Sequence, residues 1–314
     1  MKINSVLIAG AGAIGLSTAE SIYKTDPACV TILANGERLE RYKKNGLKVN
    51  GEKLDFAFSG DSVNGNAQPG LILIACKFHH LDEVINDIRP YVGKDTIILS
   101  LLNGITSEEI IEGKLKCEKL PLAMVLGTDA FHEKEGTSFT KKGVVHFGDR
   151  DGMNGEREDC VADFFSNTGV PFALEQNMKR KLWFKYMMNV GVNQVSAVLR
   201  IPYGAIQSKT GSENIPEAHI LVQKTMREVI AVANAEGIDL GDDDIANCFA
   251  VTDKLSPTGY TSMCQDIMAG RKTEVEMFSL TLMDLAKKHG IPVPVNEMLY
   301  LEIRAEERKS KVVY

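Results

Sequence analysis

No stretch of this sequence approaches the roughly 20 consecutive apolar residues that a membrane-spanning helix needs. None of its six cysteines (Cys29, Cys76, Cys117, Cys160, Cys248, Cys264) belongs to a C-x-x-C pair. The first absence excludes a helical membrane protein. The second excludes a disulfide framework or a zinc ribbon, and leads to the expectation of reduced thiols and a cytoplasmic location. A basic tail and a Lys/Arg-rich stripe are also missing. Lys and Arg number 36 against 42 Asp and Glu, a formal net charge of −6, which argues against nucleic acid as a partner. His79-His80 is the sole adjacent histidine pair. Neighbouring side chains on a helix or strand point in different directions, so no metal site is expected. No repeat of fixed period and no low-complexity tract is visible. What remains is ordinary globular composition, 44% hydrophobic and 25% charged, in a chain of 314 residues, for which two domains are the default.

The most informative stretch that is present is Val6-Leu7-Ile8-Ala9-Gly10-Ala11-Gly12-Ala13-Ile14-Gly15. A short apolar run with the shape of a buried strand leads into Gly-x-Gly-x-x-Gly and then a helical pattern. A dinucleotide pyrophosphate needs this order. Gly10 permits the tight turn, Gly12 lets backbone approach the phosphates, and Gly15 lets helix and strand pack closely. The helix then aims its first amides and positive dipole end at the anion. Gly10, Ala11, Gly12, Ala13, Ile14 and Gly15 are therefore candidate cofactor-binding residues for a nicotinamide or flavin nucleotide. Lys2 before an apolar run superficially fits a secretory signal. Three glycines within six residues suit such a segment poorly, and the run continues into polar Ser17, Thr18, Glu20 and Ser21.

The first half alternates strand-like and helix-like patterns, as a parallel α/β sheet does. Strands are predicted near 3–9, 29–34, 71–76, 96–100 and 121–127, with helices near 13–25, 36–45, 79–89 and 106–113. Residues 136–149, punctuated by Gly136, Gly143 and Gly148, read as an antiparallel hairpin closing the domain. A helix near 156–168 and a short strand near 171–175 follow. From about Met178 the pattern becomes helical: 178–198, 213–236, 242–253, 261–269, 274–288 and 295–307. Breakers such as Pro202, Gly211, Pro216, Gly241, Gly290 and Pro294 stand at the borders. The expected fold class is α/β, an N-terminal Rossmann-like doubly wound sheet (1–176) followed by an all-α domain (177–314). That arrangement is expected to place an active site in the cleft between the two, at the carboxyl ends of the strands.

An acidic residue about 20 positions past the glycines marks NAD-specific sites. Here that place is Asn35-Gly36-Glu37-Arg38, with Arg41, Lys43 and Lys44 close behind. A neutral Asn35 beside Arg38 favours the 2′-phosphate of NADP, because Arg matches phosphate oxygens bidentately. The alternative is that Arg38 and Arg41 form a solvated face and Glu37 binds the 2′-hydroxyl.

In the helical half, Lys185, Asn189 and Asn193 recur every four residues and line one stripe beside apolar Trp183, Tyr186, Met187 and Val190. A lysine and two amides on one face suit a polar lining, although periodicity alone does not distinguish that from a solvated surface. With these residues in hand, the chain resembles the ketopantoate reductases (2-dehydropantoate 2-reductases). The resemblance runs over nearly the whole length. It begins with Gly10–Gly15, continues with Cys76-Lys77, Leu101-Leu102-Asn103-Gly104 and Leu182-Trp183-Phe184-Lys185 with Asn189 and Asn193, and ends with Ser262-Met263-Cys264-Gln265-Asp266 and Thr273-Glu274-Val275.

The resemblance implies reduction of 2-dehydropantoate to pantoate by NADP(H), within pantothenate synthesis. Lys185 looks like the catalytic lysine that donates a proton or hydrogen bond to the ketone oxygen. Glu274 is similar to the acid that orients it, Ser262 to the group that holds the substrate carboxylate, and Asn189 and Asn193 to substrate-positioning amides. Asn103 and Lys77 would sit at the cofactor side. Asn35 stands where the family often has Arg, and Tyr203 where it commonly has Asn or Gln. The chemistry suits these residue types: hydride addition to a ketone develops negative charge on oxygen, which a preplaced cation stabilises.

Each residue also has a local explanation. Ser262-x-x-Gln265 and Thr273-x-x-Glu276 fit helix capping boxes, and Asn103-Gly104 is an ordinary turn dipeptide. The rivals to the reductase are a 3-hydroxyacid dehydrogenase-like enzyme acting on another 2-oxo or 3-oxo acid, and a non-catalytic NADP-binding regulator. The expected ligand is a small-molecule 2-oxo acid, with no membrane partner. A homodimer is a further expectation, since helical second domains of this kind often pair.

Overall fold

The computed structural model describes residues 2–61, 68–133, 136–208 and 214–309. Gly211, read above as a breaker, and the first residue of the helix expected over 213–236 lie outside the described residues. The chain divides into two compact units, Met1–Lys179 and Arg180–Tyr314.

The first unit is built on a five-stranded parallel sheet. In spatial order its strands are Ala57–Phe58, Val30–Ile32, Val6–Ala9, Leu71–Ile74 and Ile97–Ser100. Val6–Ala9 and Leu71–Ile74 are apolar and buried throughout because the sheet is covered on both faces. Val6 and Ile8 enter one core with Leu16, Ala19 and Ile22 of the helix Ala13–Thr25 and with Val161 and Phe165 of Glu156–Thr168. Leu7 and Ala9 enter the other with Val84, Ile85 and Ile88 of Leu81–Ile88 and Ile111 of Ser107–Leu115. Each of the Val, Leu, Ile and Phe side chains among these, taken fully out of water, contributes about 1.5–3 kcal/mol before entropy is counted. This is the doubly wound sheet that the alternating pattern predicts.

Two expectations are corrected. Leu122–Leu126 does not extend the parallel sheet. It pairs antiparallel with Val144–Gly148, which pairs in turn with Phe172–Leu174. The fifth parallel strand is the two-residue Ala57–Phe58, too short to show a period. Nor do Gly136–Lys141 and Val144–Gly148 form a hairpin with each other. Gly136–Lys141 pairs antiparallel with Asp129–Glu133 and parallel with Leu47–Val49, in a separate four-stranded sheet. The register shift between Phe139 and Lys141 and the positive φ of Gly143 (+82°) turn the chain from one sheet into the other.

The second unit is helical. Pro216 and Pro294 open their helices at the first position, where a missing N–H is harmless. Gly290 closes Thr281–His289 with φ +67°. Among the described residues, two helices contain π-helical segments, Asn189–Asn193 and Glu276–Leu280, which no periodicity at 3.6 residues foretells.

Candidate active site

The glycine turn sits where the strand order reverses. From Val6–Ala9 the chain moves to Val30–Ile32 on one side and later to Leu71–Ile74 on the other. Such a switch point leaves a crevice at the carboxyl ends of the strands. Gly10 has φ +123°, and a Cβ there would lie 2.6 Å from the carbonyl carbon and oxygen of Ala75. A Cβ on Gly15 would overlap the carbonyl oxygen of Gly10, so only glycine lets the helix seat on the turn. At Gly12, by contrast, the nearest atom to such a Cβ is the Ala75 oxygen at 4.0 Å. Gly12 is the N-cap, with no side-chain cap and no acidic residue in the first turn. The space that a side chain on Gly12 would fill is therefore open at the start of the helix, beside half-buried Ala11. An anion fits that place electrostatically and sterically.

The other sequence-predicted cofactor residues come to the same edge of the sheet. Asn35 follows Val30–Ile32 and is the exposed N-cap of Gly36–Asn45. Lys77 follows Leu71–Ile74, capping the short 3-10 turn Phe78–His80. Asn103 follows Ile97–Ser100, ahead of Gly104, whose φ is +92°. Arg38, in the first turn of Gly36–Asn45, holds Glu83 with 3.1 Å between Nη2 and Oε1. Arg41 instead lies over the Tyr42 ring, 5.4 Å from its centroid.

In the helical unit, Lys185 lies in Met178–Met188, Asn189 and Asn193 bound the π-segment, and Gln194–Leu199 continues the rod. Each α-helical step turns about 100°, so residues eight apart drift by about 80°. Each π-helical step turns less, roughly 80°, and four such steps from Asn189 to Asn193 almost cancel the drift. The π-turn thus returns Asn193 to the line of Lys185 and Asn189. All three are buried, with exposures of 9%, 7% and 9%, as is Glu274 at 8%. Burial pushes the Lys185 amine down from its ordinary value to about 8, and the negative charge of Glu274 opposes the fall.

Neither capping box forms as the spacing predicts, although Glu274 does stand at the start of a helix and the Val275 N–H donates to the Thr273 hydroxyl at 3.3 Å. Thr273 caps no Glu276: its N–H and hydroxyl both donate to Glu307 Oε1, at 2.8 and 2.7 Å, while Glu276 pairs with Lys272 and Arg304. The carbonyl of Glu274 accepts the first helical bonds, from the N–H groups of Met277 and Phe278. The cap of Ser262–Met268 is Thr261, whose hydroxyl accepts from the Cys264 N–H at 3.2 Å. Ser262 is the first helical residue and is exposed, so its hydroxyl is accessible. Sequence reasoning missed Thr261 and Glu307. In Thr261-Ser262 either hydroxyl suits a cap, and Glu307 is distant in sequence from Thr273. Tyr203 is pinned by its N–H to the Gly259 carbonyl at 2.8 Å. Burial pushes its phenol above the usual range, with Cys264 adding to the rise.

Two family models match the chain. The one described as ketopantoate reductase PanE/ApbA covers residues 6–152, and that described as ketopantoate reductase PanE/ApbA C terminal covers residues 177–307. The 2-dehydropantoate 2-reductase of Pyrococcus horikoshii is 27% identical over 306 residues, spanning 96% of this chain and 97% of that protein. Among solved structures, D-mandelate dehydrogenase with NADH and anilino(oxo)acetate is 25% identical with a TM-score of 0.84, over 98% of this chain and 100% of that one. A dimeric ketopantoate reductase from Staphylococcus aureus, 21% identical, has a TM-score of 0.81 over 98% and 99% of the two chains.

Proposed function

The chain belongs to the ketopantoate reductase family and is an oxidoreductase acting on CH–OH groups, and from that premise we propose that it reduces 2-dehydropantoate to pantoate with NADPH. The observation that supports this reading best is Lys185: a buried amine, brought toward neutrality by burial against the opposing charge of Glu274, on the same helical line as two buried amides.

When bound, the nicotinamide supplies hydride to the ketone carbon. The chain's residues do the rest. Gly10, Ala11, Gly12, Ala13, Ile14 and Gly15 seat the pyrophosphate, with Asn35 and Arg38 at the ribose end and Lys77 and Asn103 toward the nicotinamide. The Lys185 ammonium hydrogen-bonds the ketone oxygen and gives it a proton as negative charge develops there. An amine with pKa about 8 is mostly protonated at pH 7, yet close enough to neutrality to release the proton. Glu274 keeps it charged and oriented. Asn189 and Asn193 position the substrate, and the Ser262 hydroxyl receives the carboxylate.

Steady-state NADPH oxidation with a panel of 2-oxo acids tests the reading. Lys185→Ala is expected to lower kcat/KM at least tenfold, about 1.4 kcal/mol in barrier. A smaller loss contradicts the assigned role. A second reading, a different 2-oxo acid as substrate, is favoured by Tyr203, which stands where the family commonly has Asn or Gln, and by the likeness to D-mandelate dehydrogenase. Faster turnover of benzoylformate than of 2-dehydropantoate on the same panel would select it. A homodimer forms part of the proposal, supported by the dimeric staphylococcal neighbour and checked by light scattering.

A further inference from the structure

The lysine helix and the helix that begins after Glu274 share an irregularity. Each contains a π-turn, Asn189–Asn193 and Glu276–Leu280, and the two turns touch. A π-turn disturbs the regular ladder and leaves backbone carbonyls open to outside donors. In both turns a side chain takes such a carbonyl. Gln194 Nε2 donates to the Val190 oxygen at 2.8 Å. The Tyr186 hydroxyl donates to the Phe278 oxygen at 2.6 Å.

The bonds run crosswise. Tyr186, the residue next to Lys185, holds the turn that follows Glu274. Ser279, inside that turn, donates its hydroxyl to Gln194 Oε1 on the lysine helix. Gln194 Nε2 also reaches Asn296 Oδ1 at 3.3 Å, and Asn296 Nδ2 donates to Glu228 at 2.8 Å. Gln194, Ser279 and Asn296 have no exposed surface and Tyr186 has 1%. Packing alone does not ask for this. Phe and Leu would fill the same volumes without polar groups to satisfy, and buried polar networks stabilise only when complete.

We propose that Tyr186, Gln194 and Ser279 form a latch that fixes the two π-turns against each other and so sets the placement of Lys185 relative to Glu274 and Asn193. They are positioning residues: they touch neither substrate nor cofactor, and they act through the lysine. The proposal rests on the reading of Lys185 as the group that polarises the ketone. With the latch cut, the two turns can slide, and water can reach an amine that burial now keeps dry.

The test uses Tyr186→Phe and Ser279→Ala in the full-length protein, each removing a hydroxyl and little else, with circular dichroism and a melting curve to confirm folding. Two quantities are read. The first is kcat, expected to fall about tenfold or more while the KM for NADPH stays unchanged, as for misplacement of a reacting group. The second is the titration midpoint of the Lys185 side chain by NMR in the cofactor-free protein, its signal assigned with Lys185→Arg. In both variants the midpoint is expected to climb from about 8 toward the ordinary lysine value by about half a pH unit or more, because relief of desolvation, the larger influence on this amine, outweighs any loss of the Glu274 charge. The double variant should move little further than the single ones, because either cut opens the same latch.

Unchanged midpoints in both variants overturn the latch, whatever happens to activity. Should Tyr186→Phe unfold the chain, Ser279→Ala decides by the same midpoint. The function assigned to Lys185 fails separately, if Lys185→Ala turns over at the wild-type rate; the midpoints still decide the latch in that case.

Discussion

Lys185 makes the proposed chemistry visible on a pH axis. Its proton must be present for the ketone oxygen to be protonated, so kcat/KM is expected to be flat below pH 7 and to fall toward tenfold per pH unit above about 8. Glu274 raises that midpoint by its charge. Glu274→Gln, which keeps the shape and removes the charge, should therefore move the falling limb to lower pH. A limb that stays in place in this variant contradicts the coupling.

Cofactor choice is likewise a single-residue matter. The Arg38–Glu83 pair is 3.1 Å long, with side-chain exposures of 30% and 54%. An ion pair so exposed is worth about 0–1 kcal/mol, whereas a phosphate offers Arg a bidentate partner. Arg38→Ala is expected to cut the NADPH-over-NADH preference in Kd by about tenfold, near the 1.5–3 kcal/mol of hydrogen bonds to charged groups. Glu83→Gln should tighten NADPH a few-fold by freeing the guanidinium. Equal ratios in wild type and Arg38→Ala would remove the residue from the 2′-phosphate. Sequence offered Lys185 and the two amides as candidates through spacing and resemblance, and Glu274 through resemblance. It could not show which of Thr261 and Ser262 caps their helix, because both carry the same hydroxyl one residue apart.

At the scale of elements, a buried carboxyl marks the first turn of Ser107–Leu115. Glu108 is 2% exposed. Burial pushes its pKa up to about 7, partly offset by the Ser107 hydroxyl that donates to it at 2.8 Å. Ser100 donates in turn to Ser107, also at 2.8 Å. The folded value lies above the unfolded one, so between pH 4.5 and about 7 the native state keeps a proton that the unfolded chain has lost. Stability from this group is complete below that window and is lost as pH rises through it, by roughly 3 kcal/mol at 1.36 kcal/mol per pH unit. Glu108→Gln should remove that decline, gaining stability on wild type between pH 5 and pH 8 in urea titrations. A difference that does not change with pH would show the carboxyl to be ionised throughout. Helices such as Ala13–Thr25, Gly36–Asn45 and Glu156–Thr168 were legible to the residue because caps and breakers are local. The partner of Leu122–Leu126 and the two π-turns were not. Strand pairing is decided by residues far away in sequence, and a π-turn is one extra residue hidden in an unbroken helical pattern.

At the scale of the whole molecule, the switch from alternating to helical periodicity near Met178 lies close to the boundary between the two compact units, and in the proposed reading that division has a thermodynamic consequence. A ligand stabilises what it binds by RT ln(1 + [L]/Kd), about 2.7 kcal/mol at 100 times Kd. In the proposed reading the glycine turn, Arg38, Lys77 and Asn103 all belong to Met1–Lys179. The single tryptophan, Trp183, is buried in the other unit, so its fluorescence follows the helical unit. Amide exchange in Val6–Ala9, Leu71–Ile74 and Ile97–Ser100 follows the sheet. Added NADPH, without substrate, should slow exchange in those strands by close to a hundredfold and shift the Trp183 unfolding midpoint much less. Gly10→Ala should abolish the exchange effect, because its Cβ would press on the Ala75 carbonyl in a backbone region that L-residues rarely adopt. If NADPH protected the helical unit and left the strands unchanged, the phosphates would not lie on the glycine turn, and the division of labour between the two units would have to be drawn the other way.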